Sequence, residues 1–146
     1  MESELLIRIR HADAAARHGD LDAAADLYEQ VLDRLDPSHL QTAEVYLGLS
    51  GVAERRSDLA NAAHYLNLAI DVLAGLDLPL RLAQAHDRLA QILRRQGKGP
   101  EAEAQWTLAL TIKERLGDVL AQASTLEHMA QLYRSQCKTD SVRSCR

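Results

Sequence analysis

The chain has 146 residues, a formal charge of −4 and charged side chains at 26% of its positions. That length suits one domain with a real core, and the mild acidity argues against bulk nucleic-acid binding. No apolar run reaches the length of a signal peptide's hydrophobic segment or of a transmembrane span, and the abundance of Ala, Leu, Arg, Asp and Glu over β-branched residues predicts an all-helical protein.

Apolar residues recur at threes and fours along seven segments, which predicts seven amphipathic helices. The first runs from about Ser3 to His18, with Leu5, Leu6, Ile9, Ala12 and Ala16 near one stripe. The second runs from about Leu21 to Leu35, with Ala24, Leu27, Tyr28, Val31 and Leu32 inward. Asp36-Pro37-Ser38 breaks the chain, and Ser38 is placed to cap the next helix. That third helix, about His39 to Arg56, is expected to bury Tyr46, Leu49 and Ala53. The fourth, about Leu59 to Leu76, carries Ala62, Leu66, Ala69, Ile70 and Leu73 before a break at Asp77-Leu78-Pro79.

The fifth helix presents Leu82, His86, Leu89 and Leu93 on one face. Gly97 suits a left-handed helix end. Pro100 suits the first turn of the sixth helix, where its missing N–H costs nothing. The sixth stripe is Ala102, Trp106, Ala109 and Leu110. Leu116-Gly117-Asp118 closes that hairpin. A seventh helix, about Val119 to Gln136, carries Leu126, Met129, Ala130 and Tyr133. Residues 1–137 are expected to form the domain, and residues 138–146, KTDSVRSCR, a polar frayed tail.

The segments repeat. Ala12, Ser50, Ala90 and Ala130 stand 38, 40 and 40 residues apart. Twelve residues after each of the first three comes an alanine: Ala24, Ala62 and Ala102. Four further on comes a bulky residue: Tyr28, Leu66 and Trp106. Val31, Ala69 and Ala109 follow in the same register, and the turns Gly19-Asp20-Leu21, Ser57-Asp58-Leu59 and Gly97-Lys98-Gly99 correspond. Small residues sit where helices must approach and large ones where they must fill space. A fixed period of this length is the mark of stacked helix pairs.

On these residues the chain resembles a tetratricopeptide (TPR) array, in a longer-helix form with a period near 40. The resemblance spans roughly Leu5 to Cys137, with Arg8 and His86 standing where the pattern usually has an aromatic residue. It implies an all-α, right-handed α-solenoid of antiparallel helix pairs, about three and a half repeats. The fourth repeat, opened by Met129-Ala130 and Tyr133, lacks a second helix. The seventh helix then serves as a cap, meets a partner, or belongs to a fragment of a longer array.

Constellations that carry chemistry are weak. The six histidines include His11 and His18, seven apart, without a third ligand nearby, so no metal site is expected. There is no G-x-S-x-G, no phosphate-binding loop and no dinucleotide fingerprint, so no catalytic residue and no cofactor is assigned. Ser50 reads as a small packing residue. Cys137 and Cys145 both fall within the last ten residues, which fits a reduced, cytoplasmic setting better than a disulfide framework.

The first helix of each hairpin is more informative, because in TPR arrays it lines the concave surface. Asp87, Gln91 and Arg94 recur 40 residues later as Glu127, Gln131 and Arg134. Spacings of four and three put each trio on one stripe. Arg95 lies beside the first trio, and Arg55 and Arg17 occupy comparable places in the earlier repeats. These nine residues are the candidate peptide groove: Gln and Arg can hydrogen-bond an extended backbone, and Arg can fork onto a carboxylate. The same charges also complement helix dipoles. Some TPR relatives hold chaperone tails with a Lys/Asn clamp. Ile9 and Asp13 stand where such a clamp would begin, which argues against that role here.

The expected function is therefore a non-enzymatic module for a protein or peptide partner, bacterial and cytoplasmic, with neither nucleic acid nor membrane as target. Self-association through the uncovered C-terminal helix is a further expectation. The alternative is a regulatory or sensor arm of a larger bacterial transcription factor or signalling ATPase.

Overall fold

The computed structural model describes residues 2–139. They hold seven helices and no strand: α1 (Glu2–Arg17), α2 (Leu21–Leu32), α3 (Leu40–Arg55), α4 (Leu59–Ala74), α5 (Pro79–Arg95), α6 (Gly99–Leu116) and α7 (Val119–Thr139). The helices fall into two compact units, Met1–Leu78 and Pro79–Arg146.

In the first unit α1 packs on α2, α2 on α3, and α3 on α4, and α1 also touches α3. Its core gathers Ile9, Ala12, Ala24, Tyr28, Val31, Val45, Leu49 and Val52. Tyr46 is half-buried and stacks on Tyr65 at 6.4 Å. Tyr28 donates its hydroxyl hydrogen to the Asp13 carboxylate, and burial, followed by that bond, holds its pKa well above the usual tyrosine value. In the second unit α5 packs on α6 and α6 on α7, around Ala90, Ala102, Trp106 and Leu132.

The repeat register is the core register. Ala12, Ser50 and Ala90, and their counterparts Ala24, Ala62 and Ala102, are all 0% exposed. Tyr28, Leu66 and Trp106 are buried beside them. Alanine and serine at these places let two helix backbones close on each other, and the large side chain fills the space one turn on.

Three hairpin turns and the α6–α7 turn share one chemistry. Gly19, Gly97 and Gly117 take positive φ values of 86°, 79° and 70°, and Ser57 does so at 61° without being glycine. Each following N–H reaches back five residues, as in Asp20 to the Ala15 carbonyl (2.9 Å) and Lys98 to the Leu93 carbonyl (2.9 Å). This is the Schellman closure of a helix end. Asp20, Asp58 and Asp118 then cap the next helix by accepting from the N–H groups of Ala23, Asn61 and Ala121.

Four expectations are corrected. The cap of α3 is His39, whose Nδ1 accepts from the Gln41 N–H at 3.1 Å; Ser38 turns back and bonds Asp36 instead. Helix α2 stops at Leu32, short of Leu35. Helix α7 runs on to Thr139, past the expected end near Gln136, while residues 140–146 lie outside the described residues. The buried stripe of α7 is Thr125 and Leu132, whereas Leu126 and Tyr133 are 51% and 43% exposed. The expected stripe copied earlier repeats, where the first helix of a hairpin also meets a second helix. Among the described residues α7 packs chiefly on α6, so only the side facing α6 is covered.

Candidate functional site

The candidate surface of the second unit is built by the C-terminal halves of α5 and α7 and the turn between α5 and α6. Arg94 lies in the last turn of α5, half-buried. It borders a cleft of about 330 Å³ together with Gly97, Gly99, Pro100, Leu132, Ser135 and Gln136. Gly99 leaves room for Gln136: a Cβ there would fall 2.9 Å from Gln136 Nε2. At the same edge, α6 begins without a side-chain cap, because Lys98 holds the N-cap place that Asp20, Asp58 and Asp118 fill elsewhere. Lys98 and Arg94 bring two cations to this edge, beside Glu101 in the first turn of α6. Its chemistry suits a carboxylate or a backbone carbonyl.

Of the nine groove residues, Arg17 and Arg55 belong to the first unit. Arg55 donates to the Ala16 carbonyl and so ties the end of α3 to the end of α1. The other seven lie on α5 and α7. Gln91, Arg94 and Gln131 are half-buried, whereas Arg95, Glu127 and Arg134 are exposed. Asp87 is drawn into the fold. Its carboxylate accepts from the Lys113 ammonium and from Thr125 Oγ1 at 3.0 Å, and Lys113 Nζ also donates to Thr125 Oγ1 at 2.6 Å. Lys113 is 3% exposed, so the ion pair is satisfied within α5, α6 and α7.

The sequence reading missed this trio, although a signal was present. Lys113 continues the apolar stripe of Trp106 and Ala109 at steps of three and four. A lysine at such a place requires a buried anion, and Asp87 stands 40 residues after Leu47, where the earlier repeat is apolar. It also missed His128, which stacks on Trp106 with ring centres 6.0 Å apart, and the polar cleft residues Ser135 and Gln136.

Among the described residues no group of three His, Cys, Asp or Glu side chains gathers as metal ligands do, and no helix is long and apolar enough to cross a membrane. Cys137 is disulfide-bonded, which differs from the reduced state expected; Cys145 lies outside the described residues.

No protein-family model matches the sequence, and no curated protein matches it. Solved structures do. BtubC from P. vanneervenii is similar at 27% identity with a TM-score of 0.74, over 88% of this chain and 54% of that one; the chain thus spans about half the length of BtubC. The first TPR of Spaghetti (RPAP3), bound to the HSP90 peptide SRMEEVD, is similar at 15% identity with a TM-score of 0.72, over 94% of this chain and 96% of that one. The N-terminal domain of stress-induced protein-1 (STI-1) from C. elegans is similar at 16% identity with a TM-score of 0.73, over 90% and 95%. At such identities the last two likenesses concern the fold, and the fold is that of a TPR-type helical repeat.

Proposed function

We propose that this TPR-type chain is a non-enzymatic interaction module that holds an acidic peptide or helix of another protein along α5 and α7. The observation that carries the reading is the half-buried Arg94 at the rim of a cleft beside an uncapped helix start. In this reading Arg94 and Arg134 take carboxylates, Gln91 and Gln131 pair with the ligand backbone, and Arg95 and Glu127 set its direction. Asp87 supports them by fixing α5 to α6 and α7. Arg17 and Arg55 contribute to a corresponding face of the first unit. A peptide bound to the RPAP3 domain, whose fold covers almost all of this chain, supports the placement of a ligand on such a scaffold. The net charge of −4 supports a protein partner over nucleic acid.

The test is fluorescence anisotropy with a labelled panel of acidic peptides and their Gln-substituted counterparts. Wild type should prefer the acidic forms, and binding should weaken as salt rises. Arg94→Ala with Arg134→Ala should weaken binding about a hundredfold or more, at roughly 1.5 kcal/mol or above for each of the two charge-assisted bonds, with helicity unchanged. Equal binding of wild type and double variant would remove the assignment.

A further inference from the structure

The first unit holds a notch between α2, α3 and α4, and no groove residue lines it. Helical spacing assembles it. Ala25 and Glu29 stand four apart on α2, and Asn61 and Tyr65 stand four apart on α4 behind the cap Asp58. Leu49, Val52 and Arg56 share a stripe of α3 between them. The cavity measures about 120 Å³, below the size of ordinary small-molecule sites and close to that of one long side chain.

Its floor is apolar, with Leu49 and Val52 both 3% exposed. Its walls are polar and unevenly charged. Glu29 stands on the α2 side and Asp58 on the α4 side. Among the described residues that line the notch, Arg56 is the one cation, and its guanidinium is engaged by the Asp22 carboxylate. Asp58 accepts from the Asn61 N–H at 3.3 Å and from Asn61 Nδ2 at 2.7 Å. Glu29 makes no ion pair among the described residues, and the Tyr65 hydroxyl makes no hydrogen bond among them. The Tyr65 ring stacks on Tyr46 at 6.4 Å. Burial, then Glu29, Tyr46 and Asp58, hold the Tyr65 hydroxyl above the usual tyrosine pKa. A negative potential therefore reaches into the notch, which favours a cation and opposes an anion. The repeat does not require this set: 40 residues on, Asp58 and Tyr65 are replaced by Lys98 and Gln105.

We propose that the notch is a lysine-binding site, in which the ammonium of a partner protein's lysine sits among Glu29, Asp58 and the Tyr65 hydroxyl while its methylenes lie on Ala25, Leu49 and Val52. An ammonium carries three donors and no acceptor, which suits three acceptors on two sides of a cavity. The lysine stem is apolar and suits the floor. A free amine of this size has few atoms with which to gain affinity, so the site takes a side chain carried on a longer chain. The notch lies wholly in the first unit and does not depend on the acidic-peptide site of α5 and α7.

The test is an NMR titration of the full chain with the peptide acetyl-Ala-Lys-Ala-amide, with its norleucine counterpart and with n-butylammonium. The lysine peptide should shift the backbone amides of Ala25, Asn61 and Tyr65 and saturate at roughly millimolar concentration. Norleucine has the same stem without the charge and should leave them unmoved. Glu29→Gln changes an exposed side chain and should weaken the lysine peptide about threefold to fivefold with helicity unchanged. Tyr65→Phe keeps the ring and should weaken it about fivefold. Glu114→Gln removes the same charge from the second unit and should bind as wild type does. Equal shifts from lysine and norleucine overturn the proposal, as does a Glu29→Gln protein that binds like wild type. Binding of n-butylammonium without binding of the peptide overturns the assignment to a protein lysine. The Arg94→Ala/Arg134→Ala protein should bind the lysine peptide normally, so failure of one site is read separately from failure of the other.

Discussion

Gly48 shows how a single position can invert a general preference. A glycine inside an exposed helix costs about 1 kcal/mol relative to alanine, yet here a Cβ would sit 2.5 Å from Tyr28 Cζ and 2.7 Å from its hydroxyl oxygen. Tyr28 is 2% exposed and tied to Asp13, so it has little room to yield. Gly48→Ala should therefore lower stability by about 1–3 kcal/mol, read from the urea midpoint; a gain would show that the ring can move aside. The Lys113–Asp87–Thr125 trio makes the opposite point about charge. Asp87→Asn leaves a buried ammonium without its anion and should cost about 3–5 kcal/mol. Replacing both partners with leucine restores the residue type found 40 positions earlier at Leu47 and Leu73. The double variant should recover most of that loss in chemical denaturation, and failure to recover would mean that the trio contributes more than a compensated charge.

Helix ends carry the next level of organisation. The left-handed residue and back-reaching N–H recur at the ends of α1, α3, α5 and α6, and aspartate caps follow three of these turns. The exception is Lys98 before α6. Lys98→Asp supplies the missing acceptor and a favourable charge at the helix start, and should raise stability by about 1 kcal/mol, measured as a higher melting temperature. The same change removes a cation from the proposed ligand edge, so acidic peptides should bind it less well. A cap withheld at this one turn, next to Arg94 and the cleft, is consistent with a place kept open for a ligand's negative charge.

For the molecule as a whole, the two units hold separate sets of core residues, and the single tryptophan reports one of them. Trp106 shares its cluster with Ala102, Ala90 and Leu132, whereas Ala24 packs with Ile9, Tyr28 and Val31. Ala102→Leu should lower stability by about 1–3 kcal/mol and shift the emission of the folded protein. Ala24→Leu should lower stability by a similar amount and leave that emission unchanged. If both variants shift the emission, the two cores are coupled more closely than their residue clusters imply.

The sequence by itself determined the helices, their turns and the register of small and large residues, because these follow from local periodicity and from side-chain volume repeated at a near-constant interval. Ala12, Ser50, Ala90 and their alanine counterparts were legible for that reason, and so were the Gly97 turn and Pro100. Only the tertiary structure decided which face of α7 is covered, that Asp87 turns inward to Lys113 and Thr125, and that Ser135 and Gln136 join Arg94 around one cleft. Those outcomes depend on which helix meets which, and a side chain's environment across 26 or 38 residues of sequence is not written in its local pattern.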